Sequence, residues 1–457
     1  MNSSFKKAQN IFLWAKKEIP NNCELEIYLS QGRSRSVIWS EEKLEELSQA
    51  EGGGVGIRVI FLSKKEPEFL SGQQGYAYTT ADSKESIEKT TQRALEIAKS
   101  LPPDRFRRLP DITEGTSREE PSLDTTIFSC NISNLKDRLK HGEAYLLKQV
   151  PFLKSILRAG FSEGLSDVAI INSNGIERAF SGTYSGLGVS CLAEKEGERQ
   201  EGGFGQTKIF QKDLDWDFIF KRAAERTLAL LGGRPIPSGK IPVIFDPSVA
   251  AEFLSLISSA VLADSIQKGK SFFLNKMGEN VASKMVKLVD DGTLTHGLAT
   301  APYDDEGFPT QRTVVVEDGT LKHFLYDTYT ALKDGTRSTG NASRAGFKSS
   351  PSSGTSNFYL EPGPSLREAA LKETKGLYLY DVMGLHMADP ISGDFSVGAI
   401  GAWLENGEFK YGVRGITLAG NLIHLLKNID RVCEDLTFFG STGSPTFRVQ
   451  EMVISGA

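Results

Sequence analysis

The sequence predicts an α+β protein in two parts. Residues 1–235 read as an N-terminal domain of mixed helices and strands, and residues 236–457 as a mainly antiparallel β domain, sandwich or barrel-like. Three observations carry this. The 457 residues exceed the size at which one core usually stops growing. The run Gly232-Gly233-Arg234-Pro235-Ile236-Pro237-Ser238-Gly239 is rich in chain breakers and marks the boundary. Beyond residue 240 the pattern changes to short alternating runs separated by glycine turns.

Taken in order, Phe5 to Glu18 predicts a helix, with Ile11, Phe12, Trp14 and Ala15 mostly on one face. Leu25, Ile27 and Leu29 then alternate with Glu24, Glu26 and Tyr28, the period of a strand with one buried face. A polar turn at Gln31-Gly32-Arg33-Ser34 is expected to fold Val37-Ile38-Trp39 back as a hairpin. A strand over Val55–Leu62 follows the glycines Gly52-Gly53-Gly54, read as a turn or bulge. Asp82 and Ser83 offer an N-cap for a helix carrying Ile87, Thr91, Ala94, Leu95 and Ala98. The proline-punctuated stretch from about 101 to 125 reads as a long surface connection. Helices are expected at Asn134–Val150 and Asp213–Leu231, and strands at Val168–Ile171 and Tyr184–Ala193.

In the second part an apolar helix over residues 248–262 follows Asp246-Pro247. Strands at Arg312–Glu317 and Ala399–Leu404 adjoin the turns Glu317-Asp318-Gly319 and Glu405-Asn406-Gly407, both ending in glycine, a strong hairpin signal.

Composition narrows the function classes. The chain is 39% hydrophobic and 24% charged, as in a soluble globular protein. A net charge of −5 and a pI near 5.8 leave no footprint for direct nucleic-acid binding. No segment approaches a membrane span or a signal peptide. Cys23, Cys130, Cys191 and Cys433 are scattered, which predicts reduced thiols in a cytoplasmic protein.

The short motifs favour bland readings. Gly52-Gly53-Gly54-Val55-Gly56 lacks the helix and Gly-Lys-Ser/Thr ending of a phosphate loop. Ser265-Ile266-Gln267-Lys268 fits a Ser-x-x-Lys pattern, but its companion motifs are missing. The five histidines, at 141, 296, 323, 386 and 424, show no zinc-binding spacing. The acidic runs Asp290-Asp291 and Asp304-Asp305-Glu306 adjoin Gly292 and Gly307 and are expected as solvated turns. The only ionisable residue on the helix at 248–262 is Glu252, expected on a solvated face.

Four longer blocks are more specific: Tyr303-Asp304-Asp305-Glu306-Gly307-Phe308-Pro309-Thr310, Ser338-Thr339-Gly340-Asn341, Ser392-Gly393-Asp394-Phe395-Ser396-Val397-Gly398 and Arg414-Gly415-Ile416-Thr417-Leu418-Ala419-Gly420-Asn421. In this order, after Val289-Asp290-Asp291-Gly292-Thr293-Leu294, they resemble the TldD/PmbA family, also called modulators of DNA gyrase. The ending Gly440-Ser441-Thr442-Gly443-Ser444-Pro445 resembles the PmbA (TldE) branch.

The resemblance implies a dimeric two-domain α+β protein. It further implies pairing of a zinc-bearing TldD type with a TldE type as a peptidase that trims peptides. Anchored on Lys268-Gly269, it places the zinc helix's two histidines at Leu254 and Ser259, its general base at Ser255 and its cysteine near Thr442. The expectation is therefore a chain with no catalytic or metal-binding residues and no cofactor of its own, the zinc belonging to a TldD-type partner. That partner would form the heterodimer, with a homodimer as the alternative, and a peptide would be the substrate. Asp394, Arg414 and Asn421 are candidates for lining the peptide groove, the alternative being that they are turn and strand-end residues that satisfy local hydrogen bonds. Two further readings stay open. One is a homodimeric peptidase using His386 with Asp389 and Asp394; the other is a regulator of a gyrase or toxin–antitoxin system.

Overall fold

The computed structural model describes residues 3–63, 71–111 and 123–456. The N-terminal part is built on six long strands: β1 (Cys23–Ser40), β2 (Lys43–Ser63), β3 (Ser71–Thr79), β4 (Leu153–Asn172), β5 (Glu177–Lys195) and β6 (Glu198–Lys208). They form one antiparallel sheet in the order β3-β2-β1-β4-β5-β6. Helices α1 (Ser3–Lys16), α2 (Lys84–Ser100), α3 (Ile132–Gln149) and α4 (Trp216–Leu228) cover one face. The caps Ser83, Asn131 and Asp215 each accept a backbone N–H of the first turn.

The expected turn at Gln31–Ser34 does not form; β1 runs through it, paired on both sides. The polar residues have another cause. Leu25, Ile27 and Leu29 pack under α1 and α2, whereas Val37 and Trp39 pack under α3 and α4. The polar stretch is the seam between these two apolar clusters, where Arg35 pairs with the buried Glu163. The chain turns instead at Glu41 and Glu42, both with positive φ. Nor do Gly52–Gly54 make a turn. They lie within β2, where a Cβ on Gly53 would stand 2.5 Å from the Ser30 carbonyl oxygen. Glu26 and Tyr28, expected on an open face, are buried because the C-terminal part covers that face. Of the stretch at 101–125, residues 112–122 lie outside the described residues. Before them, Gly72 and Asp104 exchange backbone hydrogen bonds and Leu109 is buried, so this portion is pinned to the sheet.

The C-terminal part adds β7 (Gly239–Phe245), β8 (Leu288–Asp291), β9 (Arg312–Glu317), β10 (Thr320–Leu321), β11 (Ala342–Ser343), β12 (Ser352–Ser353) and β13 (Phe358–Leu360). They are followed by β14 (Gly376–Met383), β15 (Asp394–Glu405), β16 (Glu408–Asn421), β17 (Ile429–Val432), β18 (Thr437–Phe439), β19 (Thr442–Ser444) and β20 (Phe447–Ser455). Strands β16, β15, β14, β7 and β20 pair in sequence, and β20 returns to β16, closing a five-stranded barrel. A second sheet runs β10-β9-β8-β13-β19-β18. Helix α5 (Pro247–Ala260) packs against β7 and β14 of the barrel and β13, β18 and β19 of the second sheet, in the largest apolar core. The two glycine-ended turns form as expected: Asp318-Gly319 and Asn406-Gly407 all have positive φ. No helix among the described residues is long and apolar enough to cross a membrane.

Candidate functional site

Helix α5 begins where its sequence says it should. Asp246 caps it, accepting from Ser248 N at 3.1 Å and Ser248 Oγ at 2.7 Å, and Pro247 occupies the first turn, where its missing N–H costs nothing. Val249, Ala250, Phe253, Leu254 and Ile257 turn into the core, with the Phe253 ring edge-on to Phe245 and Phe395. Glu252, Ser255 and Ser259 remain exposed in a stripe along the outer side. The hydroxyls of Ser258 and Ser259 donate back to the Ser255 carbonyl, at 2.8 and 3.2 Å. Glu252 sits at the surface, but partial desolvation and the nearby Asp381 push its carboxyl up.

The cap is also a charge hub that the sequence reading missed. Arg222 Nη2 reaches Asp246 Oδ2 at 2.7 Å, and Tyr378 Oη donates to the same oxygen at 2.8 Å. Arg367 Nη2 donates to Tyr378 Oη at 3.0 Å, and Arg226 Nη1 to Ser248 Oγ at 2.6 Å. Burial alone would raise the Asp246 carboxyl, but Arg222 and Arg226 outweigh it and hold the carboxyl below its usual range. The only local signal was Asp-Pro ahead of an apolar run; Arg222 and Arg226 come from α4, Tyr378 from β14 and Arg367 from the helix Arg367–Lys372.

The structure separates the four candidate site residues, Asp394, Arg414, Asn421 and His386. Asp394 and Asn421 are cross-strand partners at the start of β15 and the end of β16. Asn421 Nδ2 donates to Asp394 Oδ1 and to the Ser392 carbonyl, both at 2.8 Å, while its Oδ1 accepts from Ile423 N at 3.0 Å and so caps the helix Leu422–Lys427. Hydrogen bonds from Asn421 and Ser392 hold the Asp394 carboxyl low, and the imidazole that acts on its charge is that of His424, three residues after Asn421. His386 is exposed on the single turn Leu385–Met387. Asp389 Oδ1 accepts from Ile391 N at 2.7 Å, shaping the loop between them. Arg414 lies seven residues before Asn421 on β16, about 23 Å along an extended strand. There it donates to the Gly233 carbonyl at 2.8 Å and meets Glu198 of β6 at 3.1 Å, tying the linker to the N-terminal sheet.

The acidic runs are not solvated turns. Asp290, Asp291, Asp304 and Glu306 are buried. Asp290 accepts from Asn341 Nδ2 at 2.7 Å and from Ser356 N and Oγ, both at 2.8 Å. Asp304 accepts the backbone N–H groups of Glu306, Phe308 and Ala342. Glu306 receives Arg58 Nη1 of β2 at 2.8 Å, Arg58 Nε bonds Glu26 at 3.0 Å, and Arg344 also pairs with Glu26. The adjoining glycines and the charge of these runs suggested exposure; the counter-ion of Glu306, Arg58, lies about 250 residues away in the sequence, and Asp290 and Asp304 are buried on uncharged donors. Among the described residues, no three His, Cys, Asp or Glu side chains converge as a metal centre would.

A barrel joined to a second sheet through one buried helix, with a long covering sheet from the N-terminal part, is the architecture of a known class of metallopeptidase-related proteins. A Thermotoga maritima structure named as a modulator of DNA gyrase superposes with a TM-score of 0.86 at 26% identity, covering 98% of this chain and 99% of its own. A metalloprotease of Methanocaldococcus jannaschii is 28% identical over 90% of this chain and 89% of its own length. Metalloprotease PmbA of Escherichia coli O157:H7 is 28% identical over 94% and 92%. The PmbA/TldA metallopeptidase domain 1 matches residues 25–98, the central domain 127–231 and the C-terminal domain 238–456. The chain belongs to the PmbA/TldD family.

Proposed function

We propose that this chain is the TldE/PmbA-like, non-catalytic member of a two-chain zinc metallopeptidase, shaping the groove along which a peptide reaches zinc held by a TldD-type partner. The observation that carries this reading is the donor set on α5 and β19. At the positions to which the resemblance assigns the zinc machinery stand Leu254, Ser255, Ser259 and Thr442. Leu254 is a hydrocarbon side chain only 2% exposed, and Ser259 spends its hydroxyl proton on the helix backbone. Neutral hydroxyl oxygens hold Zn²⁺ poorly beside imidazole or thiolate. These residues do not fit the metal, and without it they have no means of lowering the pKa of a water toward neutrality. The fold around them is nevertheless complete, and the similarity to E. coli PmbA extends over most of both chains. A chain that keeps the architecture but not the donors is suited to binding and positioning.

The test is reconstitution. Co-expressed with a TldD-type subunit, the chain is expected to copurify with it, and the pair to cleave an unstructured peptide in a chelator-sensitive way that neither chain achieves alone. Full cleavage by the TldD-type subunit alone, unchanged by this chain, would contradict the reading.

A further inference from the structure

The face of the N-terminal sheet opposite its helices is half covered and half open. The open half is a cleft of about 690 Å³. Register sets its floor: Glu46, Ile38, Gly160, Gly188 and Gly205 are successive cross-strand partners on β2, β1, β4, β5 and β6. Three adjacent strands thus carry no side chain along this row. Ser36, Ser162 and Thr207 border it on one side, the last two converging over Gly186, and Arg158 borders it on the other. Neither the Glu46 nor the Arg158 side chain enters an ion pair among the described residues, so the cleft presents one free charge of each sign.

The covered half shows what such a floor accepts. Where Gly54 and Gly56 leave β2 bare, the protein's own segment 344–348 crosses the sheet. The Phe347 ring occupies the place of a Gly54 side chain, and the Phe347 carbonyl, 2.7 Å from where a Gly56 Cβ would stand, accepts from Tyr76 Oη at 2.7 Å. Bare strands on this face are therefore already used to bring a second backbone close.

We propose that the open cleft seats an extended polypeptide segment, the peptide substrate; this rests on the reading under Proposed function. The row crosses five strands, so its four inter-strand spacings of roughly 4.8 Å give about 19 Å, the length of about six extended residues. The hydroxyls of Ser36, Ser162 and Thr207 both donate and accept, so they engage backbone amides whatever the sequence. Glu46 favours an amino or basic group at the β2 end, and Arg158 a carboxylate along the side. The opposite end is the β6 edge of the sheet, which adjoins β18 of the C-terminal part; the Phe204 side chain itself turns to the helix face, against Phe218 of α4. Phe204, beside Gly205, meets Phe439 of β18 with ring centroids 6.0 Å apart, and Phe439 pairs with Thr442 of β19, against which α5 packs.

The test fills the floor. A Cβ on Gly188 meets nothing within 4 Å, and one on Gly160 meets only Ile38 Cγ1 at 3.9 Å, so Gly160→Val and Gly188→Val fit the strands sterically and raise their β propensity. Binding of a fluorescein-labelled Lys-(Ala-Ser)3-Glu peptide to the lone chain is measured by anisotropy, alongside the melting temperature and the mass in solution. The expected result is binding by the wild type and about tenfold weaker binding by the double variant, with melting not lowered. No binding by the wild type, or equal binding by a folded double variant, overturns the proposal, as does a double variant that loses only self-association. The two readings fail separately. Cleavage by the reconstituted pair that is indifferent to the valines overturns the cleft and leaves the subunit role standing. Valine-sensitive binding without reconstituted cleavage does the reverse.

Discussion

At the scale of single residues, burial decides which charges carry information. Asp290 is enclosed in the C-terminal core region beside Asp291, and desolvation outweighs its three hydrogen-bond donors, so its carboxyl is pushed up to about 6. A folded-state pKa above the unfolded value means that the native state holds the proton more tightly. The contribution is fully present below about pH 4 and is lost as the pH rises through about 6. An asparagine at this position cannot titrate. Asp290→Asn is therefore expected to remove a loss of up to about 3 kcal/mol between these pH values, read as the difference between the denaturation profiles of the two proteins. Parallel profiles would show that Asp290 titrates in the native state as it does in the unfolded chain, and would contradict the upward shift. The burial of Asp290 could not be read from the chain, because Asn341 and Ser356, which pair with it, stand more than fifty residues downstream.

At the scale of elements, α5 is the most legible part of the sequence. Asp246-Pro247, the apolar run after it and the lone Glu252 predicted its start, its type and its one exposed acid, and each is present. Its anchoring was not legible, since Arg222 comes from α4 and Tyr378 from β14. Asp246→Ala removes the cap and strands the half-buried guanidinium of Arg222 and the buried hydroxyl of Tyr378. The expected cost is about 3–5 kcal/mol, the range for breaking a buried pair, and chemical denaturation measures it. A loss below about 1 kcal/mol would reduce Asp246 to an ordinary surface cap. The same limit explains the strands. Local alternation found the two ends of β1, the last residues of β4 and much of β5, but strand length depends on neighbours on both sides, and β1 crosses a polar seam that resembles a turn.

At the scale of the whole molecule, the N-terminal sheet and the C-terminal part share a buried charge network through Arg58, Glu26, Arg344 and Glu306. That network shuts one half of a sheet face and leaves the other half as the cleft. The family was readable in the sequence because its blocks lie in the C-terminal part, where turns and buried acids fix residue identity. The cleft was not, because it consists of glycines and serines aligned by register across five strands, and the pairing of β1 with β4 that joins the first hairpin to the β4–β6 meander is long-range in the chain. What the molecule does turns on α5, where the fold of a metallopeptidase-family protein carries Leu254, turned into the core, and Ser259, on the outer side, at the positions the resemblance assigns to the zinc histidines. The most direct measurement is the zinc content of the purified lone chain together with its cleavage of an unstructured peptide. Well below one zinc per chain and no chelator-sensitive cleavage are expected. One zinc per chain, with cleavage that a chelator abolishes and zinc restores, would contradict the non-catalytic role.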